Sequence, residues 1–151
     1  MANRYYNPFQ GIDISVPEEF RSTFARYCQT GGGKAIIDQS PFPRMVDLWF
    51  LSLCIAARLG LEPTDLGNTD TYKIIEGSIF GNDPWRVHFI MLLAICESGD
   101  IEIVSEPRRM MTIANGLAVA GLPKVIEMLQ EDDAEPIWNL SEALDHLIRK
   151  G

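Results

Sequence analysis

The chain has little from which to build a metal or redox centre, with two histidines and three cysteines in 151 residues. Neither His88 nor His146 is followed three or four residues later by a His, Cys or carboxylate, the spacing that aims two side chains of one helix at one ion. A zinc site needs three or four converging ligands. Glu142 precedes His146 by four residues and Asp145 adjoins it, a pattern typical of solvent-facing helices. Cys28, Cys54 and Cys96 are odd in number, far apart and without a CxxC pair, as expected of buried, reduced, intracellular thiols. Cys96 ends the run Leu-Leu-Ala-Ile-Cys, a poor setting for a thiolate, and stands about 12 Å along one helix from His88. No metal and no cofactor are expected.

Other absences narrow the class further. There is no GxSxG, so no strand-turn-helix nucleophile of the serine-hydrolase kind. Gly31-Gly32-Gly33-Lys34 is followed by Ala35 where a phosphate-binding loop needs Ser or Thr, and it comes after a helix rather than after a strand. It reads as a flexible connector. The longest unbroken apolar run, residues 89–96, is far short of the roughly 20 residues that span a bilayer. The first residues, Met-Ala-Asn-Arg-Tyr-Tyr-Asn-Pro, carry no apolar signal stretch. The expectation is a cytoplasmic chain that neither leaves the cell nor enters a membrane. Thirteen basic residues against twenty-one acidic ones give a net charge of −8, which opposes attraction to phosphate backbones and anionic lipid. The nearest approach to a basic patch is Arg108 and Arg109 with Lys124, and these are the candidate nucleic-acid contacts.

What is present is an ordinary globular composition, 46% apolar and 23% charged, at a length that suits one domain. Residues 1–15, rich in Asn, Tyr, Pro and Gly, read as an irregular arm laid over the core by Tyr5, Tyr6 and Phe9. A helix is expected from Pro17, with Glu18 and Glu19 at its positive end and Phe20, Phe24, Tyr27 and Cys28 on one face. The strongest element is residues 44–59, apolar around nearly its whole axis and stopped by Gly60, a central pillar. A second apolar helix follows Asp83-Pro84, with Asp83 as cap, and ends before Gly99. These two are expected to pack on each other, the alternative being a partner protein that covers part of either. Residues 71–80 suit a short strand or a short helix, and 100–104 an edge strand or a loop. Ser105 is placed as the cap of a helix over 106–120, Gly121 as its end, and a further helix carries Val125, Ile126 and Leu129. The acidic linker 131–135 precedes a last helix from Pro136 with Ile137, Leu140, Leu144, Leu147 and Ile148 on one face. The fold class is therefore all-α: a single compact bundle of five to six helices around two apolar central ones, with room for one short strand pair.

Within the pillar, Asp47 and Arg58 recur after three turns but lie roughly 16 Å apart, so each needs partners elsewhere. Asp47, Trp49 and Arg58 are the candidate partner-interface residues. Glu97, Asp100, Glu102 and the run 131–135 fall at helix ends and in linkers, where acidic residues serve solubility, and none assembles a legible catalytic group. An enzyme would need a site formed only in three dimensions, around His88, Asp47 or Glu97.

Three strings in order carry a resemblance: Pro41-Phe42-Pro43 leading to Val46-Asp47-Leu48-Trp49-Phe50 and Ala57-Arg58-Leu59-Gly60; Glu97-Ser98-Gly99-Asp100-Ile101-Glu102; and Ile113-Ala114-Asn115-Gly116-Leu117-Ala118-Val119-Ala120-Gly121. Over residues 40–130 the chain resembles the small helical accessory proteins of bacterial DNA-phosphorothioation (Dnd-type) and related anti-phage defence systems. The resemblance implies a non-catalytic subunit working beside larger proteins of a defence complex, or with further copies of itself. A nucleic-acid-binding accessory and a small enzyme are the competing functions.

Overall fold

The computed structural model describes residues 6–33 and 35–150, so Tyr5 and Lys34 lie outside the described residues. Ile14 and Val16 point to the same side of Asp13–Pro17, which forms strand β1. It pairs antiparallel with β2, Thr71–Glu76, placing Ile14 opposite Ile75 and Val16 opposite Tyr72, with a bulge between Ile14 and Ser15. This corrects the irregular arm through residue 15 and the helix start at Pro17. Pro17 is extended (φ −52°, ψ 141°) and closes the strand; one 3-10 turn, Glu18–Phe20, precedes helix α1, Arg21–Tyr27. The expected face is nevertheless buried, since Phe20, Phe24, Tyr27 and Cys28 all enter the core. Phe9 does lie over the core, its ring 5.8 Å from that of Phe80, whereas Tyr6 is exposed.

The glycines after α1 are built into a turn. Gly32 is left-handed (φ 103°), and a Cβ on Gly33 would fall 2.6 Å from the Cys28 carbonyl and 2.7 Å from Ser40 Oγ. The segment after the turn is held there by Gln29 N donating to the Phe42 carbonyl at 2.8 Å and by Ser40 Oγ donating to the Arg26 carbonyl. Helix α2, Met45–Leu59, then starts as expected: Asp47 Oδ2 accepts from the Arg44 amide, and Gly60 ends it in the left-handed conformation.

After β2 the chain makes a 3-10 segment, Gly77–Asn82, and enters α3, Pro84–Ser98. Asp83 precedes it, but its side chain makes no cap hydrogen bond; it faces arginines instead. Residues 100–104 are neither strand nor open loop but lie in the 3-10 turn Ile101–Ser105, opened by Asp100 Oδ1 accepting from the Glu102 amide at 3.0 Å. Ser105 does not cap the next helix; its hydroxyl donates to the Glu102 carbonyl.

That next helix, α4, runs unbroken over Pro107–Leu129, so the two expected segments are one. Gly121 does not end it, because glycine there serves close approach: a Cβ would sit 2.0 Å from the Ser52 carbonyl of α2 and 3.3 Å from the Ala56 methyl. The pillar α2 therefore packs chiefly on α4, and meets α3 through Asp47 and Phe50. Trp49 fixes the crossing, its Nε1 donating to Asn115 Oδ1 (2.9 Å) while Asn115 Nδ2 donates to the Ser15 carbonyl of β1 (2.7 Å). By length and composition α4 is apolar enough to cross a membrane, yet Met110, Ala114, Leu117, Ala118, Leu122 and Val125 are buried against the rest of the chain. Asn139 closes the turn into α5, Pro136–Lys150, by donating to the carbonyls of Leu129, Asp132 and Ala134. The result is a mostly helical bundle of five α-helices among the described residues, with one two-stranded sheet on its side.

Candidate partner interface

Helix α3 has apolar residues on all sides, but the fold fully buries only one of them. Val87, Ile90 and Ala94 enter the core with the stem of Arg86. On the opposite side Trp85, Phe89, Leu92 and Cys96 recur at spacings of four, three and four, one line along about 16 Å of helix. Leu92 is 64% and Trp85 56% exposed, Cys96 is exposed and Phe89 half-buried. Coverage on most sides is found for α2 and not for α3.

The N-terminal end of that line is fixed from beneath by a charge cluster. Arg86, 6% exposed, donates from Nη2 to Asp47 Oδ1 at 2.8 Å, and its Nη1 stands 4.0 Å from Asp83 Oδ2. Arg44 closes the group at 3.6 Å from both aspartates. The Arg86 guanidinium carbon lies 4.7 Å from the Trp85 ring and 5.1 Å from that of Phe50, while Phe50 meets Trp85 edge-on at 5.1 Å and Phe89 at 5.3 Å. Stacking of this sort orients an aromatic side chain as well as stabilising the cation. Trp85 is thus exposed yet held, which lowers the entropy lost when a partner covers it.

The candidates named from the sequence fall in different places. Asp47 is at the cluster, but it acts through Arg86. Trp49 is fully buried with its indole N–H satisfied by Asn115, which leaves a partner nothing of it to touch. Arg58 is exposed at the far end of α2. Arg108, Arg109 and Lys124 do not converge: Lys124 is about 24 Å along α4 from Arg108. Arg109 pairs with Asp100 and Glu106, and Lys124 with Glu127. Trp85 and Arg86, not singled out from the sequence, carried one legible signal, the placement of a Trp-Arg pair at the start of an otherwise apolar helix.

Of five surface grooves, each about 440 to 540 Å³, none is lined by His88, Asp47 or Glu97. His88 and Glu97 are exposed and about 14 Å apart along α3. No group of three His, Cys, Asp or Glu side chains able to hold an ion occurs among the described residues. Burial pushes the Cys28 thiol up to about 12, with Asp47 adding to it, and raises Cys54 with partial relief from Arg86. Neither is a nucleophile at neutral pH. Of the three thiols expected to be buried only Cys28 is; Cys54 is half-buried and Cys96 exposed. No family model, no curated protein and no solved structure matches the chain.

Proposed function

We propose that the chain is a non-catalytic protein-interaction subunit, and that it docks through the outer line of α3. The observation that carries this reading is the line on α3 in which Trp85, Leu92 and Cys96 are exposed and Phe89, half-buried against Phe50, joins them. A helical line of apolar residues at four-three-four spacing is the surface that an amphipathic helix of another protein matches. Aromatic anchors held in place are where binding free energy concentrates in such interfaces. The resemblance to accessory proteins of DNA-phosphorothioation and related anti-phage systems supplies the setting: a larger protein of a bacterial defence assembly, met in the cytoplasm, whose chemistry lies elsewhere.

The test is co-purification of the tagged chain with the products of its neighbouring genes, before and after Leu92→Glu and Trp85→Ala. Leu92 is exposed, so the charge should leave stability within about 0.5 kcal/mol. Capture by the unaltered chain and its loss in both variants supports the reading. Capture unaffected by either change moves the interface off α3, and no capture at all removes the reading.

A further inference from the structure

The outer line of α3 is symmetric in its spacing, since Trp85, Phe89, Leu92 and Cys96 follow one another by four, three and four residues. The pattern is the same from either end. A second copy of the helix, laid antiparallel about a two-fold axis midway between Phe89 and Leu92, sets Trp85 opposite Cys96 and Phe89 opposite Leu92. Each pair occurs twice, as a closed two-fold contact requires. The bulkiest side chain of the line meets the smallest, and the two of middling size meet each other, so the line is its own match in volume as well as in spacing.

Charge beside the line selects the antiparallel arrangement. Arg86, Leu93 and Glu97 follow one another by seven and four residues along one flank of it. At the N-terminal end of that flank, Arg86 leads through Asp47 to Arg44. Of the four charged side chains clustered there, Arg44 is the one that reaches water, 48% exposed against 20% or less for Asp47, Asp83 and Arg86. At the C-terminal end stands Glu97, exposed and without an ion-pair partner among the described residues. Antiparallel pairing brings like flanks together with their ends reversed, so Glu97 of each copy comes to the Arg44 end of the other, and the two helix dipoles oppose favourably. Parallel pairing would set Glu97 against Glu97 and like dipole ends side by side.

We infer that in the free protein α3 pairs antiparallel with α3 of a second copy, closing the outer line about a two-fold axis. The inference rests on the reading of that line as a docking surface: a helix of a partner protein then docks by displacing the second copy. One helix lying on one helix is a small interface, below about 1,200 Å², the class in which association is weak. A dissociation constant of about 10 to 100 μM is expected. In this arrangement the two Cys96 residues are eleven residues of helix apart along the axis, about 16 Å, while each adjoins Trp85 of the other copy.

The experiment is sedimentation equilibrium of the purified full chain alone, in reducing buffer, from micromolar to near-millimolar concentration, joined to cross-linking with a short bismaleimide. A monomer–dimer equilibrium is expected. Leu92→Glu places a charge at the centre of the contact on an exposed position, so it should keep the fold, checked by circular dichroism, and weaken the dimer roughly tenfold or more. Glu97→Arg should weaken it about threefold at low salt and less at high salt. In Trp85→Cys the reagent should join position 85 of one copy to Cys96 of the other, a link located by peptide mass, whereas the unaltered chain should give no link between the two Cys96 residues. A monomer at every concentration overturns the pairing and leaves the docking reading to its own co-purification test. A dimer indifferent to Leu92→Glu, or one that the unaltered chain links through Cys96 to Cys96, overturns the antiparallel α3 contact.

Discussion

Asp47 shows how much one carboxylate can organise. It accepts the amide of Arg44 at the start of α2 and the guanidinium of Arg86 from α3, so removing it frays a helix start and strands a buried cation. Breaking a buried pair by deleting one partner costs about 3 to 5 kcal/mol. Arg44 and Asp83 remain to share the charge, so Asp47→Ala should destabilise by about 3 kcal/mol in urea unfolding, near the lower limit of that range. Arg86→Met, which removes the cation and keeps a long apolar stem, should destabilise less than Asp47→Ala; the reverse order would show that the cluster is held chiefly by Arg86 packing. The thiols separate by exposure. Cys96 should react with an aromatic disulfide reagent in the native state at pH 8, and Cys28 only on unfolding, as read by the number of thiols released before and after denaturant. Burial holds both Cys28 and Tyr72 protonated up to about 12, against ordinary values of 9.0 and 10.0. The folded chain therefore keeps protons that the unfolded chain releases, so stability is unaffected by these groups below pH 9 and declines as pH rises from 9 toward 12. For Cys28 the slope is at most about 1.4 kcal/mol per pH unit; Tyr72, more exposed, contributes less. Cys28→Ala should flatten that decline in equilibrium unfolding measured between pH 8 and 11.

At the scale of elements, the informative case is α4. A glycine followed two residues later by Pro123 is a strong local sign of a helix end, because glycine costs backbone entropy and proline removes a hydrogen bond. Both are interior here. Gly121 is what lets the Ser52 carbonyl of α2 come within touching distance, and the burial gained along Leu117, Ala118, Leu122 and Val125 outweighs the local penalty. Gly121→Ala should destabilise by about 1 to 3 kcal/mol, the range of overpacked cores, and Gly121→Val by more, measured as midpoint shifts in chemical denaturation. Unchanged midpoints would mean that α2 and α4 do not meet at this spacing. The start of α5 and the ends of α2 and α3 were legible because Pro136, Gly60 and Gly99 mark them chemically. The strand β1 was not, since Ile14-Ser15-Val16 is too short to compete with the Pro17-Glu18-Glu19 helix signal. Its partner β2 lies more than fifty residues away, and only the pairing of the two makes either a strand.

For the molecule as a whole, composition and pattern determined a mostly helical fold with an apolar pillar at residues 44–59, because periodic burial is written into the spacing of side chains. They also left the candidate site half visible: Asp47 could be seen to need a partner, but not that the partner is Arg86, nor that Trp49 is wholly internal while Trp85 is not. Two apolar helices look alike along the chain. Which of them is enclosed depends on what else reaches it, and here the long α4, admitted by Gly121, covers α2 and leaves the outer line of α3 in water. Similarly, Arg108, Arg109 and Lys124 read as a basic patch until the length of α4 separates them and acidic neighbours pair two of the three. Local chemistry settles where helices begin, end and bear apolar residues. Which apolar face stays open is decided by the packing of elements distant in sequence, through close approaches that exist only once the chain is folded.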